Sequence, residues 1–125
     1  MAGPPPGSTL PRVSASARVY LRPIAPVTPA EAGAWPTGGY QPLCGGPLSF
    51  RDLEVSIREG GVHATSVAAS VPEVRAWAES APAAAHKRIL RRLSHLTAAR
   101  PPIVGLGLDR PRVMGVLNVT PDSFS

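Results

Sequence analysis

The chain has 125 residues, 16 of them proline and 12 glycine, with 13 basic against 8 acidic side chains. That length suffices for one domain, but the chain-breaking residues and an aromatic content of 5% predict a smaller, more marginal core than the length alone would. A single cysteine, Cys44, excludes an intramolecular disulfide framework and a Cys-rich metal site, and the net charge of +5 favours anionic partners without naming one.

Residues 1–16 read as a flexible Pro/Gly-rich tail, because MAGPPPGSTLP has no periodicity and little side chain to bury against its ordering entropy. Arg12, Arg18 and Arg22 precede the first acid, Glu31, which is the charge bias of a transit peptide. The prolines at 4, 5, 6, 11, 23, 26 and 29 oppose the amphipathic helix that such a peptide requires. No apolar run is long enough for a secretory signal or a membrane span, so a cytoplasmic protein without a membrane partner is expected.

Residues 17–102 read as a small α+β unit of unassigned role. In ARVYLR, Val19 and Leu21 alternate with Arg18, Tyr20 and Arg22, the period of a half-buried strand, which Pro23 is expected to interrupt. The following stretch to Pro47 reads as loop, with a short helical turn around PAEAGAW. In LEVSI, Leu53, Val55 and Ile57 point one way and Glu54 and Ser56 the other, and Gly60-Gly61 supplies a turn into a third strand within VHATSVAAS. Ser70 is placed to cap a helix, with Pro72 in its first turn where the missing N–H is harmless. A second helix covers PAAAHKRILRRLSHLTAAR: Ile89, Leu93 and Leu96 form one stripe with Leu90 beside it, and Pro101-Pro102 stops it.

His86, Lys87, Arg88, Arg91, Arg92 and His95 form the densest basic cluster. No aromatic residues interleave it for base stacking, so a solvated helix face is expected and no nucleic-acid partner. The competing reading is a non-enzymatic module that binds an acidic partner or nucleic acid through this helix. His63 stands in an alternating segment without the further ligands a metal needs, and the glycines at 105 and 107 are not followed by the rest of a dinucleotide-binding pattern. Cys44, in LCGGP, has no neighbouring base in sequence and reads as an unreactive loop thiol.

From Ile103 two apolar runs, Ile103–Leu108 and Val113–Val119, flank Asp109-Arg110-Pro111-Arg112 and predict a hairpin or two neighbouring strands. The second run is almost wholly apolar, the pattern of a parallel strand buried on both faces. It runs into Asn118, at a strand end, where an amide oxygen can either cap the turn or ligate a hard cation. Thr120-Pro121-Asp122 makes a turn, and Ser123, Phe124 and Ser125 set one aromatic ring between two hydroxyls on a loop.

VMGVLNVTPDSFS, residues 113–125, resembles the opening segment of dihydropteroate synthases: an apolar strand followed by Asn-Val-Thr-Pro-Asp-Ser-Phe-Ser. The family's usual Asp-Gly-Gly continuation is not present. The resemblance implies an α/β fold, a (β/α)8 TIM barrel in the complete protein, of which residues 103–125 would be the truncated start: hairpin, first strand and first loop. It implies a transferase of folate biosynthesis that joins 4-aminobenzoate to 6-hydroxymethyl-7,8-dihydropterin pyrophosphate, giving 7,8-dihydropteroate and pyrophosphate, with Mg²⁺ as cofactor. Asn118 matches the family asparagine that binds Mg²⁺ and the pyrophosphate group. Phe124 would wall the aminobenzoate site, and Thr120, Asp122, Ser123 and Ser125 belong to the mobile first loop. The family is commonly dimeric, so a homodimer is expected of the complete enzyme. A closed barrel needs about 200 residues or more, so the pterin pocket and catalytic residues would lie beyond Ser125 and this chain alone is expected to be inactive.

Overall fold

The computed structural model describes residues 9–32, 39–61, 63–108 and 110–117. Its centre is a three-stranded antiparallel sheet in the order β1-β4-β5, formed by Arg18–Ile24 (β1), Asp52–Glu59 (β4) and His63–Ser70 (β5). Between β1 and β4 the chain makes a one-turn helix, Pro29–Ala32 (α1), and a two-stranded ribbon of Gln41–Pro42 (β2) with Ser49–Phe50 (β3). After β5 come two helices, Val71–Ser80 (α2) and Ala83–Thr97 (α3), of which α2 packs against β5 and α3 against β1. The described residues are therefore a mixed α/β layer pair with helices on one face of the sheet.

The alternation predicted for LEVSI fixes which face that is. Leu53, Val55 and Ile57 are buried, and the register sets Val19 opposite Ile57, Leu21 opposite Val55 and Ala69 opposite Leu53. Against them pack Val71, Val74, Trp77 and Ala78 of α2 and Ala85, Ile89 and Leu93 of α3. Removing these aliphatic side chains from water supplies the main driving force, at about 1.5–3 kcal/mol for each large one. The opposite face is polar: Arg22 pairs with Glu54 at 2.6 Å, and the hydroxyls of Ser56 and Ser66 meet at 2.9 Å.

Strand β1 continues through the predicted interruption at Pro23 and ends at Ile24. It is an edge strand, the place in a sheet where a residue without an N–H is tolerated. Helix α2 has the expected cap: the Ser70 hydroxyl accepts from the Glu73 N–H at 3.4 Å, and the Glu73 carboxylate accepts from the Ser70 N–H at 2.7 Å. Both Ser70 groups, the hydroxyl first, hold the Glu73 carboxyl below its ordinary pKa. A smaller copy of this device starts α1, where Glu31 accepts from the Thr28 N–H at 2.8 Å and hydroxyl at 2.7 Å, lowering the Glu31 pKa likewise.

Two expectations require correction. The tail expected over residues 1–16 ends sooner, because Leu10 and Val13 are buried in the core at 2% and 8% exposure. Four hydrogen bonds hold this segment and the start of β1: Trp77 Nε1–H donates to the Pro11 carbonyl at 2.8 Å, Arg88 donates to the carbonyls of Ala15 and Ala17, and the Ser14 N–H donates to Glu59 at 2.6 Å. The second correction concerns the two runs expected to pair from Ile103. Ile103–Leu106 closes on itself as a tight turn with mutual backbone hydrogen bonds of 3.0 and 2.9 Å, and Val104 and Gly105 both take positive φ. Residues 110–117 carry no strand, and Val113, Met114, Val116 and Leu117 are 85–100% exposed. Their composition suits a strand, but no described strand lies beside them to satisfy the backbone or cover either face.

Candidate functional site

The residues singled out for dihydropteroate synthase chemistry, Asn118, Thr120, Asp122, Ser123, Phe124 and Ser125, lie outside the described residues. What the structure places is their approach. From Arg110 to Leu117 the chain runs in extended or irregular conformation, and Arg112 Nε donates to the Gly107 carbonyl at 3.0 Å, tying the start of the apolar run to the turn before it.

The basic helix is resolved into working and free groups. Arg88 is half-buried and spans the carbonyls of Ala15 and Ala17, the latter at 3.0 Å. His86 sets Nδ1 at 2.8 Å from the Ala78 carbonyl; serving as donor there, it joins α3 to the end of α2. The Arg92 guanidinium lies 4.9 Å from the centre of the Tyr20 ring, across the outer edge of β1. Lys87, Arg91 and His95 are left as the solvated face that the helical spacing predicts. The cluster is thus in good part internal fastening, which its sequence spacing alone could not reveal, because the acceptors are backbone carbonyls more than 70 positions away.

Cys44 sits in a turn that is tied to α3. It takes φ +54, its N–H donates to the Leu96 carbonyl at 2.7 Å, and Arg100 Nε lies 3.4 Å from its sulfur. The loop thereby closes the C-terminal end of α3, satisfying a carbonyl that the helix leaves open. A cavity of about 330 Å³ lined by His95, Ala98, Ala99, Arg100 and Pro101 and one of about 230 Å³ reaching Cys44, Arg100 and Gly107 flank this junction. Their described linings include His95 in the first and Cys44 in the second, and no carboxylate in either. Among the described residues no three His, Cys, Asp or Glu side chains converge as metal ligands. No helix among them is long and apolar enough to cross a membrane. Comparisons with protein-family models, curated proteins and solved structures find no match to this chain.

Proposed function

We propose that the chain carries the first strand and first loop of a dihydropteroate synthase-type transferase, preceded by a small α+β domain. The observation that carries this reading is the uninterrupted run VMGVLNVTPDSFS, eight residues of which, Asn118–Ser125, are of mixed type and follow a strand-like apolar segment. The exposure of Val113, Met114, Val116 and Leu117 supports it physically: a strand of this composition becomes stable only between parallel neighbours and covering helices, which a (β/α)8 barrel provides.

In that setting Asn118 would stand at the C-terminal end of its strand, at the mouth where barrel enzymes assemble their sites. The donor chemistry fits Mg²⁺, which takes few protein ligands and completes its shell with water and substrate phosphates, so one neutral amide oxygen is a suitable contribution. When bound, such an ion stabilises negative charge on a departing pyrophosphate. Phe124 would wall the 4-aminobenzoate side, and Thr120, Asp122, Ser123 and Ser125 would order the loop over the reacting groups. A homodimer belongs to the same proposal.

The test is a chimera in which residues 113–125 replace the corresponding segment of an active dihydropteroate synthase. Turnover of 4-aminobenzoate and the dihydropterin pyrophosphate should be kept. Asn118→Ala should lower it by about tenfold or more, with partial recovery at higher Mg²⁺, whereas Phe124→Leu should chiefly raise KM for 4-aminobenzoate. A folded chimera without turnover, or Asn118→Ala with normal turnover at limiting Mg²⁺, would overturn the assignment.

A further inference from the structure

On the solvent face of the sheet, cross-strand pairing follows charge at one end and violates it at the other. Arg22 stands opposite Glu54 and bonds it, and Tyr20 stands opposite Ser56, but Arg18 stands directly opposite Arg58. Like charges at directly opposed positions destabilise an antiparallel pair. Neither guanidinium has a hydrogen-bond or ion-pair partner among the described residues. The nearest acid in sequence, Glu59, is occupied by the Ser14 N–H.

Between the two arginines lies a cavity of about 250 Å³ whose described lining is Ser16, Arg18, Arg58, Gly60 and Gly61. The described lining contains two cations, a hydroxyl, two glycines and no carboxylate. Gly60 and Gly61 turn the β4–β5 hairpin with φ of +60° and +83°, and a Cβ at either would meet nothing within 4 Å, so the backbone is open to an approaching ligand. We infer that this hairpin end of the sheet is a binding site for a phosphate dianion carried by a small molecule. Two planar guanidinium forks on adjacent strands can each donate twice to a tetrahedral dianion, which also removes their mutual repulsion. The volume falls below the roughly 300–1,000 Å³ of cavities for drug-sized ligands, which points to a compact phosphate ester. This site is independent of the terminal motif and of the transferase reading.

The experiment is titration of the full chain with inorganic phosphate at constant ionic strength set by chloride, read by amide nuclear magnetic resonance shifts and by melting temperature. Saturable shifts should centre on Ser16, Arg18, Arg58, Gly60 and Gly61, and phosphate should raise the melting temperature where chloride does not. Arg58→Gln should weaken phosphate binding by about tenfold or more, while melting no lower than the parent chain in chloride, since it relieves the like-charge pair. Arg18→Gln should reproduce the loss from the other strand if Arg58→Gln does not fold. Arg91→Gln, an equal change of charge on the exposed face of α3, should leave the affinity unchanged. Phosphate indistinguishable from chloride, or equal weakening by Arg91→Gln and Arg58→Gln, would overturn the site.

Discussion

The indole N–H of Trp77 reaches the carbonyl of Pro11 at 2.8 Å, joining α2 to a segment 66 positions earlier. Trp77 is 1% exposed and sits among Val74, Ala78 and the sheet, so the same side chain both fills the core and anchors the N-terminal arm. Trp77→Phe keeps most of the apolar volume and removes the donor. It should lower unfolding free energy by about 1–2 kcal/mol and selectively raise amide exchange over residues 10–17, whereas Trp77→Ala should cost about 3–5 kcal/mol.

Arg88 fastens the same arm from α3: one guanidinium nitrogen, Nη2, donates to both the Ala15 and the Ala17 carbonyls. Arg88→Met, which keeps the apolar stem and removes the donor from both carbonyls, should therefore destabilise the chain by about 1–3 kcal/mol, where exposed Arg91→Met should stay within about 0.5 kcal/mol of the parent. Urea unfolding of the pair checks this. Equal effects would mean that the basic helix is uniform after all.

These two contacts also explain what could be read from the sequence and what could not. The alternation of Leu53, Val55 and Ile57, the cap at Ser70 and the stripe Ile89–Leu93 are local patterns, and local patterns survive into the fold. Leu10 and Val13 are isolated apolar residues between prolines and serines, with no period of their own. Their burial is decided by Trp77 and Arg88 from far along the chain. Pro23 misleads for a related reason, since its tolerance depends on β1 being an edge, a property of strand order. The terminal motif is legible only as a resemblance, and the side chains that would carry its chemistry lie outside the described residues.

Ser70 and Glu73 make the start of α2 sensitive to acid. The folded-state pKa of Glu73 is lowered, so its contribution is present above the ordinary glutamate range and is lost as pH falls through the folded value. Stability should thus decline on acidification below about pH 4.5, and Glu73→Gln should flatten part of that slope. Ser70→Ala should cost about 1 kcal/mol near neutral pH. An unchanged pH slope in Glu73→Gln would place the acid sensitivity elsewhere.

Gly45 and Gly60 both take positive φ, +67° and +60°, but only Gly45 is crowded: a Cβ there would meet Ala99 Cα and Cβ at 2.7 Å. Gly60→Ala should cost about 1 kcal/mol, from backbone strain alone. Gly45→Ala adds a clash with backbone at the end of α3 and should cost about 2 kcal/mol or more. Because Cys44 N–H bonds the Leu96 carbonyl, the second variant should also fray the last turn of α3, which exchange of the amides near residues 95–98 would report.

Val116 separates the two environments proposed for the terminal run. In this chain it is 87% exposed, with no described strand beside it. Val116→Asp should accordingly leave the unfolding midpoint of the 125-residue chain within about 0.5 kcal/mol of the parent. In the barrel chimera the same position would lie in a strand covered on both faces, where an unpaired carboxylate has neither solvent nor partner. There the substitution should destabilise by about 3 kcal/mol or more, or prevent folding. The comparison is made by measuring both proteins with the same denaturant and probe. A large loss in the 125-residue chain would show that Val116 already packs there; a negligible loss in a folded, active chimera would show that residues 113–117 do not form its buried first strand.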